Sequence, residues 1–493
     1  MKLRNWQSEC VSSAIEKYKS FKKHFLGLAT PGAGKTYMAS VLAKKMHEQD
    51  LIDLVICFAP SSVVSSDFSD ALVEQFGTHF DGTIGALGDS FTYQKLNSIP
   101  EQTWRLLDRY RVFVIFDEIH HCAGSNEHDA NAWGTPIINK IRDKAEYTIA
   151  LTGTPWRSDS LPIALSEYCE QSGKVLCDYI YGLKEAVRDN VCRIPQIIAV
   201  DNNKITIAGN QEQQNFQSFS ELLSQNIIPY TQLVKNEIVV EQLLQRAINK
   251  LDEIRDINHN AGGLVVASSI EHACSIKNIM KCLFNTNAII VTSNEKKPSA
   301  IIKQFRKSKD KWLISVGMVS EGTNIPRLQV CCNLTNVKTE MYFRQILGRI
   351  LRKTQANNQD AFMFIPAEPN LLDYAFRVAQ DIPDGLSKVI LTTMNEELNA
   401  DISEAENVQD SEPPELNEEA TEYVNLNVSA QYDQEFTKDM LNINEVAIET
   451  KVHDMEIKGE FSHEELEIAD LGMYQISDTS MQKLSDLNNA SPY

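Results

Sequence analysis

Two short stretches carry residues whose types and spacing suit phosphate chemistry. Residues 29–36 read ATPGAGKT, at the end of the apolar stretch FLGLA and the start of the helical pattern KTYMASVLAKKM. A Gly-rich loop that opens a helix turns its backbone N–H groups toward one point, where they and the positive helix end hold phosphate. Thr30, Pro31, Gly32, Ala33 and Gly34 form that loop, Lys35 would reach the β- and γ-phosphates, and Thr36 would offer its hydroxyl to Mg²⁺. Ala29 stands where the strict pattern has Gly. Residues 115–121 read IFDEIHH and close the apolar run VFVIF. A nucleoside triphosphate site needs a carboxylate at a neighbouring strand end to hold Mg²⁺ and a second to orient the attacking water. Asp117 and Glu118 fit those two roles. An acidic turn after a core strand is the plainer explanation of the pair, and the phosphate loop in the same chain argues against it.

The second half of the chain supplies cations. Residues 342–352 read YFRQILGRILR, and on a helix Gln345, Arg349 and Arg352 fall at i, i+4 and i+7 on one face. Guanidiniums grouped in this way suit the spreading negative charge of a triphosphate during hydrolysis. Such groups need a rigid scaffold. Short Val- and Ile-rich runs recur between helical patterns at 54–60, 112–118, 147–153, 263–269, 288–294, 312–318, 328–334 and 361–366. Continuous apolar strands alternating with helices predict parallel sheets covered on both faces, here in two sets. Residues 181–262 are more polar and read as a connection followed by a helix over about 231–256. Beyond about 370 the strand signal stops, helical patterns follow at 371–380 and 385–399, and 404–422 reads as a flexible acidic linker with paired prolines. The chain thus divides into 1–180, 181–375 and an acidic, partly flexible C-terminal extension over 376–493.

Composition sets further bounds. The net charge of -20 resides in the extension: residues 396–493 hold 25 Asp+Glu against 4 Lys+Arg, leaving 43 basic and 42 acidic side chains before them. A near-neutral body can carry a basic groove, so overall acidity does not exclude nucleic acid. The 10 cysteines show no CxxC pair or zinc-type spacing and read as small core residues of a reducing compartment. No window approaches a membrane span and MKLRNWQSEC lacks a secretory apolar core, so a cytoplasmic location without membrane contact is expected.

Taken together, the motifs over residues 1–366 resemble those of the superfamily 2 DEAD/DEAH-box (DExH) helicases and translocases, in the family's order. The resemblance implies two tandem RecA-like domains with ATP and Mg²⁺ in the cleft between them. It makes Asp117-Glu118-Ile119-His120 the D-E-x-H box, with His120 coupling nucleotide state to the nucleic-acid site. LRNWQ at 3–7 is similar to the adenine-recognition signature, which implies that Gln7 bonds the adenine edge and Arg4 stacks or bonds beside it. LTGTP at 151–155 resembles the third motif, whose hydroxyls Thr152 and Thr154 would link the carboxylates to domain closure. The arginine helix resembles the sixth motif, and SVGMVSEGTNIPRL at 315–328 the fifth, which implies nucleotide contacts from Gly322 and Asn324. Asn324 replaces the usual Asp, so that contact would carry no charge. Pro60, Ser61, Thr92, Ser268 and Thr323 would bind phosphate and sugar, tracking a strand without reading its sequence.

The motif set looks most like the branch of DNA repair helicases and restriction-enzyme motor subunits. The implied function is an ATP-dependent helicase or translocase acting on DNA in preference to RNA. Two alternatives stay open: an RNA helicase, and a nucleic-acid-sensing ATPase switch that controls a partner such as a nuclease. The acidic extension could dock a basic protein partner or lie in the chain's own groove as a DNA mimic, although such a charge run reads more simply as a solubilising tail.

Overall fold

The computed structural model describes residues 2–126, 129–155, 157, 161–202, 205–208, 213–292, 295, 298–317, 325–356, 360–382, 388–393 and 456–459. Two parallel sheets organise them into two RecA-like lobes. In the first lobe the strands are β1 (His24–Ala29), β2 (Leu54–Ala59), β3 (Gly88–Thr92), β4 (Val112–Asp117) and β5 (Tyr147–Thr152). A short ribbon of β6 (Glu167–Tyr168) and β7 (Val175–Leu176) precedes the edge strand β8 (Tyr179–Tyr181). The sheet order is β3-β2-β4-β5-β1-β8, every pair parallel.

Burial on both faces explains the unbroken apolar runs. Phe113 and Ile115 of β4 join the core cluster that contains the helices Asn5–Lys19 and Lys35–Glu48, while Val112, Val114 and Phe116 join a second cluster on the opposite face. Successive strand residues point to opposite sides, so a strand covered on both must be apolar at every position.

The second lobe uses β9 (Ile194–Asp201), β12 (Gly262–Ala267), β13 (Ala288–Val291), β14 (Trp312–Ser315), β15 (Leu328–Leu334), β16 (Asp360–Pro366) and β17 (Lys388–Thr393). They form one sheet in the order β13-β14-β12-β15-β16-β9-β17. Between β9 and β12, β10 (Ile205–Ala208) and β11 (Gln213–Phe216) make an antiparallel ribbon with β18 (Glu456–Gly459). That strand aside, the extension from 394 onward lies outside the described residues.

Three expectations change. Strand β9, inside the stretch read as a connection, sits between β16 and β17 with Ile197, Ile198, Ala199 and Val200 buried. Its opening Ile194-Pro195-Gln196 breaks the apolar run and hid the strand. The predicted helix over 385–399 is replaced at Lys388–Thr393 by β17, whose Val389, Ile390 and Thr392 are β-branched residues paired along β9. The helix expected over 231–256 is Glu237–Ile257, because Asn236 caps it, accepting from the N–H groups of Ile238 and Val239. Pro229 starts a separate short turn at Tyr230–Leu233. No helix among the described residues is long and apolar enough to cross a membrane.

Candidate active site

Register brings the first lobe's chemistry to one edge. Leu28 pairs with Thr152 and Asp117 with Leu151, so the loop after β1, the turn after β4 and the segment after β5 emerge side by side. The C-terminal edge of a parallel sheet is where such folds bind ligands. In the loop, Gly32 and Gly34 take left-handed φ values of 84° and 96°. A Cβ at Gly34 would lie 2.8 Å from Gln7 Nε2, so both conformation and space require glycine there. The helix Lys35–Glu48 starts immediately after.

Arg4 and Gln7 brace this loop from outside. Arg4 Nη1 donates to the carbonyl of Ala33 at 2.6 Å, and Gln7 Nε2 donates to that of Gly34 at 3.0 Å. Gln7 Oε1 accepts from the Arg4 N–H at 2.9 Å, and the residue is 3% exposed. An adenine edge would therefore share Gln7 with the phosphate loop, a use of the side chain that the sequence reading did not include.

Lys35 is buried, with Nζ 3.0 Å from the Ala29 carbonyl it donates to and 3.2 Å from Glu118 Oε1. Thr36 stands in the first turn of the same helix, half-buried. Asp117 is buried, and its Oδ1 has no hydrogen-bond partner. Burial and the adjacent Glu118 push its carboxyl well above the usual carboxylate range, against the pull of Lys35 and Arg349. Burial also disfavours the charged form of Glu118, but Lys35 and His120 outweigh it and hold that group below its usual range. The unpartnered Asp117 Oδ1 beside an ionised Glu118 is an oxygen donor that a bound cation would satisfy. Hard oxygen donors such as Asp117 and Thr36 suit Mg²⁺, and the amide-lined loop with Lys35 suits a polyphosphate.

Glu118 itself sits in the left-handed region at φ 51°, a placement that costs a non-glycine residue about 1–3 kcal/mol. Its Oε2 accepts from the Gly153 N–H at 3.2 Å, which helps hold it there. His120 Nδ1 lies 2.8 Å from Thr152 Oγ1 and 3.4 Å from Thr154 Oγ1, and all three residues are buried. Thr152 Oγ1 accepts from the Thr154 N–H at 3.0 Å. Two further residues hold the box and were not singled out from sequence. Tyr93 donates its hydroxyl to the Asp117 carbonyl at 2.7 Å, and Arg157 Nη1 donates to the carbonyl of His120. Their positions, next to Thr92 and just past LTGTP, were the only available signals.

The second lobe reaches this edge through the helix Glu340–Ile350. Gln345 Nε2 is 3.5 Å from His120 Nε2, a direct link between lobes. For Gln345 to donate, His120 Nε2 must be bare and its proton must sit on Nδ1, facing Thr152. Arg349 is buried on the same helix. Arg352 departs from the expected helical face: the helix ends at Ile350, and Arg352 forms an antiparallel bridge with Cys192. It still arrives at the phosphate loop, since a Cβ at Gly32 would lie 3.0 Å from its Cγ. Burial and the neighbouring Arg349 push the Arg352 guanidinium down to about 9. Gly322, Thr323 and Asn324 lie outside the described residues.

The residues expected to touch nucleic acid occupy strand ends. Pro60 and Ser61 follow β2 and Thr92 ends the adjacent β3, with Ala59 paired to Thr92. Ser61 also caps the helix Ser62–Phe76, accepting from the Val64 N–H at 3.4 Å. Ser268 follows β12 in the second lobe, its Oγ 2.8 Å from His272 Nδ1. His272 is 5% exposed with Nε2 unpartnered, and burial together with Lys235 pushes its imidazole down to about 4. Because the folded value lies below the ordinary one, the unfolded chain takes this proton first, and stability falls as pH drops from about 6.5 toward 4. His272→Asn should flatten the fall in that window by up to about 1.4 kcal/mol per pH unit, measured by urea unfolding at pH 5 and pH 7. Equal slopes for both proteins would remove His272 as the cause.

Comparison with known proteins places this geometry. Residues 1–157 match the family described as type III restriction enzyme, res subunit, and residues 244–354 match the helicase conserved C-terminal domain. A Mycobacterium leprae protein named as uncharacterized is 30% identical over 387 residues, or 76% of this chain and 63% of that protein. The chain thus spans a little under two thirds of the length of this relative and of a Mycobacterium tuberculosis one, of which it covers 62%. It is also 23% identical over 388 residues to a DNA 3'-5' translocase of Sulfurisphaera tokodaii, covering 72% of this chain and 79% of that protein. A fragment described as an HsdR subunit of a type I restriction enzyme from Vibrio vulnificus shares the fold. Its TM-score is 0.57 at 16% identity, covering 79% of this chain and 69% of that one.

Proposed function

The chain belongs to the superfamily 2 helicases and translocases, and from that premise we propose that it hydrolyses ATP in the cleft between its lobes to move along DNA. One observation carries this reading. The buried Lys35 and Asp117 and the half-buried Glu118 of the first lobe stand beside a His120 that Gln345 of the second lobe contacts directly. Nucleotide chemistry and lobe closure therefore share a residue.

In the proposed cycle the loop amides and Lys35 hold the triphosphate, which replaces Glu118 as the counter-charge of Lys35. The freed Glu118 orients a water and takes its proton as oxygen attacks the γ-phosphorus and the bond to the β-phosphate oxygen breaks. Thr36 and Asp117 would hold Mg²⁺, which supplies charge neutralisation at the phosphates when bound. Arg349 and Arg352 offset the charge that spreads over the phosphoryl group. Closure onto ATP and reopening after hydrolysis would then shift Pro60, Ser61 and Thr92 against Ser268 along a strand. The preference for DNA over RNA rests on the motif resemblance and on the named activity of the Sulfurisphaera relative. The acidic extension over 376–493 is assigned to a protein partner on its charge alone.

Because the proposed relay uses this contact, Gln345→Ala should lower nucleic-acid-stimulated turnover about ten-fold and the unstimulated rate by less. A purified variant with wild-type stimulation would leave the His120 link without a role. The function itself is tested by steady-state ATP hydrolysis, alone and with single-stranded, duplex or forked DNA or with RNA, at one fixed low salt concentration. Strong stimulation by one DNA form supports the motor and names its track. Best stimulation by RNA overturns the DNA assignment, and hydrolysis insensitive to every nucleic acid overturns the motor in favour of a partner-controlled switch.

A further inference from the structure

The two lobes also meet at a residue that makes no charged contact. Pro31 of the phosphate loop lies between two glycines from different lobes. A Cβ at Gly348, on the helix Glu340–Ile350, would fall 2.5 Å from Pro31 Cβ and 2.8 Å from its Cγ. A Cβ at Gly153, just after β5, would fall 3.0 Å from Pro31 Cδ and 3.3 Å from its Cγ. The Pro31 carbonyl completes the clamp by accepting the thiol of the buried Cys192 at 3.6 Å. Neither glycine has a positive φ, so close approach and not backbone conformation is what excludes a side chain at Gly348 and makes one tight at Gly153.

Gly348 also stands three residues after Gln345 and immediately before Arg349. Whatever sets the distance from Gly348 to Pro31 therefore sets how deeply both of those groups enter the cleft. We infer that Pro31 is a positioning residue that gauges lobe closure, its ring seating in the notch left by Gly348 and Gly153 so that Arg349 and Gln345 reach working distance only when the seat is filled. Carbon atoms in contact settle at roughly 3.5–4.0 Å. An added methyl at Gly348 would then hold the lobes apart by about 1 Å, and a misplacement of that size costs a reaction about 10²-fold. The ring is rigid, unlike the end of a long side chain, so the strain has no local outlet.

The inference rests on the ATPase reading above, and its test is a double-mutant cycle on the full chain, read as nucleic-acid-stimulated ATP turnover. Gly348→Ala should lower turnover by about ten-fold or more in the wild-type background. Pro31→Gly, which removes the ring, should itself slow the enzyme because closure loses its stop. In that background Gly348→Ala should cost less than about three-fold. Gly153→Ala, which presses on the same ring from the first lobe, should behave in the same way, so one substitution relieves two others. A glycine cost that shrinks by less than half on a logarithmic scale when the ring is removed overturns the gauge, as does a Gly348→Ala variant with wild-type turnover. Thermal melting checks each variant, and should Gly348→Ala lack a cooperative transition, the Gly153→Ala pair decides by the same criterion. A wild-type chain that hydrolyses no ATP would instead sink the ATPase reading, so the two failures are distinguishable.

Discussion

Replacing Glu118 by Gln is expected to lower ATP turnover by about 10²- to 10⁴-fold while nucleotide affinity holds or tightens. The substitution keeps the shape of the side chain, so Gly153 N–H still finds an oxygen and the left-handed backbone at Glu118 keeps its support. It removes the negative charge that Lys35 and His120 stabilise, and with it the acceptor proposed to take a proton from water. Lys35, 3.2 Å from Glu118 Oε1, loses its counter-charge and turns more readily to phosphate, which is why binding does not weaken. Single-turnover hydrolysis with equilibrium binding of nucleotide separates the two effects. Turnover near the wild-type rate would end the assignment of Glu118 as the base.

A comparable loss, about 10³- to 10⁵-fold, is expected for Arg349→Ala, with ATP affinity changed only a few-fold. The buried Arg349 guanidinium comes from the second lobe, whereas ground-state holding of the phosphates is proposed for the loop, Lys35 and the helix end of the first. Its proposed contribution would be concentrated where negative charge spreads in the transition state. Arg349→Lys should recover little, because an ammonium cannot present the planar fork of a guanidinium. The measurement is kcat against KM for ATP at saturating nucleic acid. A variant that raises KM and leaves kcat alone would make Arg349 a binding residue of the ground state.

Much of this chemistry is local, and local chemistry is legible in sequence. ATPGAGKT announces itself because a loop that must point several amides at one ligand needs glycines at left-handed positions and a helix immediately after. The strands before it and before Asp117 read clearly because sheets buried on both faces leave no polar positions to confuse the period. Where a strand opens with Pro and Gln, as β9 does, or follows helical patterns near an acidic tail, as β17 does, the same reasoning fails. Pairing partners nearly two hundred residues away decide those elements.

The sequence by itself therefore determined two α/β lobes and, within them, a glycine loop at a helix start and a carboxylate pair at a strand end. Tertiary structure alone decided that Gln7 and Arg4 grip the loop, that Arg352 arrives from a bridge with Cys192 in place of a helical face, and that Tyr93 and Arg157 hold the carboxylate turn. It alone placed Pro31 between glycines of opposite lobes. The physical reason is range: residue type and spacing report what a segment does with its own backbone, whereas contacts across a cleft depend on how two separately folded sheets come to rest against each other.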